Sequence, residues 1–194
     1  MIGTRTNVLI KSGVDTSDLN VVDQIEFEAF IDQCLRHATE LVQAYTRRTF
    51  NEETTTETLD GNNRRNLMVS YPPIITIAEI KEGDHVIDPD LYRIKRGDSR
   101  GQNSGIIEHK HHWKRGWSNI EITYTHGYAN PPEDVVYVVE DMAKDVVVDA
   151  LRSYKQGGAD NLTMDGFGAT YNPKLMLTED RMRILDAYRL YALG

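Results

Sequence analysis

The chain has 194 residues, 40% of them hydrophobic and 27% charged, with a formal net charge of −8. That is enough apolar material for one packed domain, with or without arms, and it excludes wholesale disorder. The acidic balance argues against a protein whose main task is gripping nucleic acid, and no apolar run approaches the roughly 18 residues of a membrane span.

The opening MIGTRTNVLIKSGVD carries too short an apolar piece for a secretory signal, so synthesis in the cytoplasm is expected. Its Gly13, Asp15, Ser17 and Asp18 suggest a short helix or arm followed by a loop. A helix over 24–48 is then predicted: Phe27, Phe30, Ile31, Cys34, Leu35, Ala38, Leu41, Val42 and Tyr45 recur at three-and-four spacing. Asp23 and Glu26 have the pattern of a capping box at its start. Cys34, the single cysteine, lies in this stripe and reads as a buried thiol.

Between Thr54 and Thr125 the pattern changes to five or six short strands, which predicts a small antiparallel sheet. TTTETLD and NLMVS flank the turn cluster Gly61-Asn62-Asn63 and read as a hairpin. IITIAEI is a strand ending at the turn Glu82-Gly83-Asp84, and VIDPDLYRI is a weaker one interrupted by proline. The stretch from Gly97 to Gly105 is a polar loop; GIIEHK and NIEITYT complete the set. A helix is then expected after the cap sequence Asn130-Pro131-Pro132, with Val135, Val138, Val139, Met142, Val146, Ala150 and Tyr154 on its apolar face. Its acids Glu140, Asp141, Asp145 and Asp149 read as a solvated face. The glycine-rich segment Gly157–Pro173 is expected to be an arm, and Thr178 to cap a last helix carrying Met182, Leu185, Tyr188 and Tyr191 on one side.

The candidate chemistry is thin. His109 and His111 would share one face of a strand, a spacing that can hold zinc or copper, but no further ligand set accompanies them. His126 follows a strand without a nucleophile motif beside it. Gly157-Gly158 and Gly166-Phe167-Gly168 lack the lysine and hydroxyl residue of a phosphate loop. The basic run Arg93, Lys95, Arg96, Arg100, Lys110, Lys114 and Arg115 suits either charge pairing between subunits or a salt-sensitive nucleic-acid contact. No cofactor is called for, and the alternative classes are a metal-dependent enzyme or a nucleic-acid binder.

Several ordered motifs together resemble the head-tail connector (adaptor, or head-completion) proteins of tailed phages. They are Tyr45-Thr46-Arg47-Arg48-Thr49-Phe50 at a helix end, Glu57-Thr58-Leu59-Asp60-Gly61 at a strand and turn, and Tyr71-Pro72-Pro73-Ile74 at a strand entry. Trp113, Gly116, the run Ile122-Thr123-Tyr124-Thr125-His126-Gly127-Tyr128, and Pro132 follow; Leu177-Thr178 and Tyr188-Arg189 close the series.

The resemblance implies an α+β chain. A helical bundle of two long helices and a C-terminal helix would carry a small antiparallel β-domain inserted between its helices. It implies one connector domain over 1–194: N-terminal helices in 1–50, a β-region in 51–128, a core helix in 130–155, an arm in 156–177 and a C-terminal helix in 178–194. It also implies a structural, non-enzymatic virion protein at the neck, the head-tail interface. There a ring, most often of twelve copies, binds the portal protein on one side and a stopper or tail-completion protein on the other. Genomic DNA passes through the lumen without sequence recognition, and no membrane is involved. A stopper or tail terminator is the nearer alternative role. Portal binding is expected at Leu185, Tyr188, Arg189 and Tyr191, and subunit or tail-side contacts at Arg47, Arg48, Arg100, Lys114 and Arg115.

Overall fold

The computed structural model describes residues 1–14, 21–97, 103–155 and 176–190. Its elements run α1 (Arg5–Ser12), α2 (Val21–Thr46), β1 (Glu53–Gly61), β2 (Asn66–Met68), β3 (Ile74–Glu82), β4 (His85–Val86), a 3-10 turn (Pro89–Leu91), β5 (Tyr92–Arg96), β6 (Asn103–His109), β7 (Gly116–His126), α3 (Glu133–Lys155) and α4 (Glu179–Asp186). The class is α+β. Two compact units result: a helical unit from Met1–Arg47 and Pro131–Gly194, and a β-unit from Arg48–Asn130.

In the helical unit, α2 buries Phe27, Phe30, Ile31, Cys34, Leu35, Ala38 and Val42, the stripe expected from its period; Leu41 and Tyr45 are half-buried. The helix already runs at Val21, so Asp23 lies inside it and the expected capping box is not its start. Helix α1 is capped by the Thr4 side chain, which accepts from the Asn7 amide at 3.3 Å, and it stops at Gly13 in the left-handed region. Helix α3 begins at Glu133, directly after the prolines as expected. The Pro132 carbonyl accepts the Val136 amide at 3.0 Å, so Pro132 and not Asn130 flanks the first turn. Its buried face is rotated from the expected one: Ala143, Val147 and Leu151 join Val135, Val138, Val139, Met142 and Ala150, while Val146 is half-buried.

Thr178 caps α4 as its sequence position predicts, accepting from the Arg181 amide at 3.4 Å. The helix is shorter than expected, eight residues ending at Asp186. Beyond it the Leu190 amide donates to the Thr46 carbonyl at 2.9 Å, which satisfies an otherwise unpaired group at the end of α2. The arm Gly157–Pro173 lies outside the described residues.

The β-unit holds two antiparallel sheets where one was expected. Strand order is β1-β7-β3-β4 in the first and β2-β6-β5 in the second. The predicted hairpin of β1 with β2 does not form: β1 pairs with β7 and β2 with β6. The turn at Gly83 does join β3 to β4 in a hairpin. Strand β6 starts at Asn103, two residues before the expected strand GIIEHK. Alternation along β7 sends Ile120, Ile122 and Tyr124 into a core shared with Leu67, Ile80, Ile107 and Trp113. The opposite face carries cross-strand threonine pairs, Thr54 with Thr125 at 3.0 Å and Thr56 with Thr123 at 2.8 Å.

The chain leaves β7 through Gly127. Its φ is +95°, and a Cβ there would stand 2.0 Å from the Asn51 carbonyl oxygen, so only glycine fits. Phe50 is buried and stacks on Tyr128 with ring centroids 5.5 Å apart.

Candidate functional site

The acids of α3 are not one solvated face: Asp149 is exposed and Asp145 half-exposed, but Glu140 and Asp141 are drawn into packed contacts. Glu140 lies three and seven residues before Ala143 and Val147, which turns it toward the packed side, and it is 2% exposed. Three donors from the N-terminal segment converge on it: the Thr4 amide at 3.1 Å, Asn7 Nδ2 at 2.8 Å and Lys11 Nζ at 2.9 Å. Burial alone would raise its pKa, but these partners outweigh burial and hold the carboxyl below its ordinary range. Glu140 therefore ties α1 to α3. Arg5 ties the same helix to α2 through Asp32, with Nε to Oδ1 at 2.9 Å, and through Glu28.

At the next residue, Asp141 receives Arg181 Nε at 3.1 Å and Lys144 Nζ at 2.8 Å, while the Arg181 guanidinium also reaches Asp145. Arg181 Nη1 donates to the Met176 carbonyl at 2.7 Å. Burial opposes the charge on both Asp141 and Arg181, yet the pairing prevails: the acid is held low and the guanidinium high. The arrangement is a clasp, a planar donor fork between two carboxylates, and it holds α4 on α3.

That clasp decides where the expected portal residues lie. Leu185 is fully buried and Tyr188 nearly so, its hydroxyl 3.3 Å from Asp134 Oδ2. Both are committed to the helical unit in the single chain. Arg189 is exposed, 5.0 Å from the Tyr45 ring centroid and 3.9 Å from Asp186. Tyr191 lies outside the described residues, as does Arg100. Arg47 ends α2 with φ of 55° and is exposed. Arg48 is half-buried, with its Nε enclosed and without a hydrogen-bond partner in the single chain.

The histidine pair fails as a metal site. Strand β6 ends at His109, so His111 is not on its face. The His111 amide donates to His109 Nδ1 at 3.0 Å, which uses the lone pair a metal would need, and the His109 ring leans on Trp113 with centroids 4.8 Å apart. Burial, then the neighbouring His111, push the His109 pKa down. No group of three metal-binding side chains occurs among the described residues. His126 is also buried and stacks on Tyr71 at 5.1 Å between centroids. The basic run is partly neutralised: Arg93 Nε reaches Glu108 at 2.7 Å and Lys114 Nζ reaches Glu82 at 3.2 Å.

Lys114 and Arg115, two of the expected contact residues, stand exposed on the turn that leads into β7. Trp117, the second residue of β7, follows that turn and is 93% exposed. The backbone around it is pinned: Ser118 donates to Asp60 Oδ1 at 2.6 Å, Gly61 to Asn119 Oδ1 at 2.8 Å, and Asn119 Nδ2 to the Lys114 carbonyl at 3.0 Å. The Lys114 amide adds a bond to Glu82 Oε1 at 2.7 Å. Gly61 belongs to this joint, since a Cβ there would meet the Lys114 carbonyl oxygen at 1.7 Å. Nothing in WKRGWS separates Trp117 from Trp113 four residues earlier, which is buried; the path of the folded backbone makes the difference.

These are surfaces for holding and presenting, not for reacting, and comparison along the chain agrees. The sequence profile of the family described as Head completion protein matches residues 18–191, spanning both units. The chain belongs to the head completion protein family. It is a structural protein and not an enzyme. No curated protein matches it in sequence. Among solved structures, this head completion protein is similar in fold to a chain in "Virion of native gene transfer agent (GTA) particle", with a TM-score of 0.54 and 15% identity over 94% of this chain and 86% of that one. It is similar to a chain in "Neck of empty GTA particle computed with C6 symmetry" (TM-score 0.53, 15% identity, 86% and 81% covered). A chain in "Neck of native GTA particle computed with C12 symmetry" is similar too (TM-score 0.52, 12% identity, 100% and 97% covered).

Proposed function

We propose that this head completion protein is a neck adaptor. Copies form a closed ring, most simply of twelve, between the portal protein and a stopper or tail-completion protein, and the genome passes through the lumen. The observation that carries this reading is the family match over 18–191, which includes both the helical unit and the β-unit. The fold likeness to chains from particle necks described with sixfold and twelvefold symmetry supports it, as does an overall net charge of −8 that discourages contact with passing phosphate. The helix-sheet-helix order favours the adaptor position over a stopper or tail terminator, for which a mostly β chain is expected.

For the portal side we retain the C-terminal helix. Arg189 is on its open surface, whereas Leu185 and Tyr188 become available only if α4 lifts from the Asp141 clasp. Tail-side contact is assigned to the β-unit loops.

Deletion of the gene tests the assignment. Particles made without the protein should be DNA-filled heads lacking tails, or heads that lose their DNA, and supplying the protein in trans should restore tailed particles. Normal tailed particles from the deletion strain would end this reading. Removal of the residues after Asn172 tests the portal contact separately: the remaining chain should lose co-sedimentation with purified portal rings, and unchanged co-sedimentation refutes that contact.

A further inference from the structure

Trp117, at the start of β7, is the largest apolar side chain beside a basic, preformed turn. With 93% of it in water and its backbone fixed by the bonds to Asp60, Asn119 and Glu82, it can bind a partner without first ordering a loop. Arg115 beside it makes no ion pair among the described residues, and Lys114 is 76% exposed despite its contact with Glu82.

The charge of the chain says what would suit this turn. Residues 48–130 hold eleven basic and twelve acidic side chains, so nearly all of the net −8 belongs to the helical unit. On that unit the start of α3 exposes Glu133 and Asp134, and one turn later Tyr137, which is 53% exposed. Glu133 and Tyr137 are four apart and share a helix face. Glu133 makes no ion pair among the described residues, and the Tyr137 ring is flanked by Lys11 Nζ at 4.5 Å. The turn offers one aromatic and two cations; the start of α3 offers one aromatic and two carboxylates.

We propose that Trp117 of one copy packs on Tyr137 of the next copy, with Lys114 and Arg115 against Glu133 and Asp134. The turn and the receiving site are different patches of one chain, so the contact is head-to-tail and generates a ring when its rotation closes. The proposal rests on the reading of the protein as a ring-forming neck component. It adds which surfaces meet.

The test uses assembled particles, so it does not depend on whether the free protein associates. Trp117 is replaced by the photo-crosslinker p-benzoylphenylalanine in the full chain, particles are irradiated, and linked peptides are mapped by mass spectrometry. The expected product is a dimer of this chain, joining position 117 to a peptide within 131–144. A link to a different virion protein, or no dimer from particles that contain the chain, overturns the contact and leaves the neck assignment standing. Absence of the unmodified chain from purified particles would instead overturn the neck assignment.

Charge exchange gives a second readout. K114E/R115E and E133K/D134K should each lower incorporation into particles at least tenfold when made alone. Co-expressed, the two variants should restore it, because each junction of an alternating ring then pairs opposite charges. Incorporation of either variant alone at the natural level overturns the proposal. So does failure of the pair to recover when both melt within a few degrees of the natural protein.

Discussion

Arg181 Nε donates to Asp141 Oδ2 at 3.1 Å and so fastens the short C-terminal helix to α3 across forty residues of chain. Arg181 is 7% exposed, and its other donors reach Asp141 again, Asp145 and the Met176 carbonyl. An eight-residue helix is too short to persist alone in water. Its position is therefore set by this clasp together with burial of Leu185.

Arg181→Met should destabilise the helical unit by about 2–3 kcal/mol, because it leaves the Asp141 carboxylate with half its partners while keeping most of the buried stem. Hydrogen exchange at 179–190 should accelerate before exchange in α2 does. Equal acceleration in both helices would show that α4 is not a separately releasable element.

Glu140→Gln should cost about 2 kcal/mol in chemical denaturation. The amide can keep one acceptor for the Thr4 and Asn7 donors but loses the charge that Lys11 meets at 2.9 Å. Limited proteolysis should then cut the N-terminal segment, which Glu140 holds through three donors.

Acidification should weaken the β-unit before the helical unit. His109 and His126 both have pKa values pushed below the ordinary 6.5 by burial, so the unfolded chain binds protons that the folded one refuses. Their contribution is complete above about pH 6.5 and is lost as pH falls through that value toward the folded pKa values. Glu140 and Asp141 are held below ordinary values of 4.5 and 3.8, so their contribution is lost only at lower pH. Tryptophan fluorescence reports the β-unit, which contains both Trp113 and Trp117, and helical circular dichroism reports the other unit. Coincident acid transitions from the two probes would contradict the assignment.

Cys34 is buried on α2, and burial pushes its thiol up to about 12. The folded protein should therefore resist a disulfide-exchange reagent at pH 8 for hours and react in minutes in denaturant. Stoichiometric fast labelling of the native protein would show that the helical unit opens readily.

Gly127→Ala should lower stability by at least ~2 kcal/mol, because the left-handed backbone and the clash with the Asn51 carbonyl add. The measurement is the midpoint of chemical denaturation. Gly83→Ala supplies the comparison: its φ is +61° with open space around the site, so it should cost about 1 kcal/mol.

Much of the molecule is legible in local sequence. The period of Phe27, Phe30, Ile31 and Cys34 determines a helix and its buried face, since the pattern needs only neighbours three and four residues away. Thr178 announces the start of α4, and Glu82-Gly83-Asp84 the β3–β4 turn, for the same reason. The spaced motifs from Tyr45 to Arg189 were enough to point to head completion. What tertiary structure alone decided are the meetings between distant residues. Strand β1 takes β7 rather than β2 as its partner because Ile120, Ile122 and Tyr124 require a shared core. Glu140 and Asp141 read as solvated acids until Lys11 and Arg181 arrive from 129 and 40 residues away and make their burial tolerable. His109 and His111 have the spacing of one strand face in sequence, but β6 ends at His109 and takes that spacing away. Trp117 was indistinguishable in sequence from the buried Trp113 nearby: side-chain chemistry is the same in both, and only the path of the folded backbone sends one indole inward and the other into solvent.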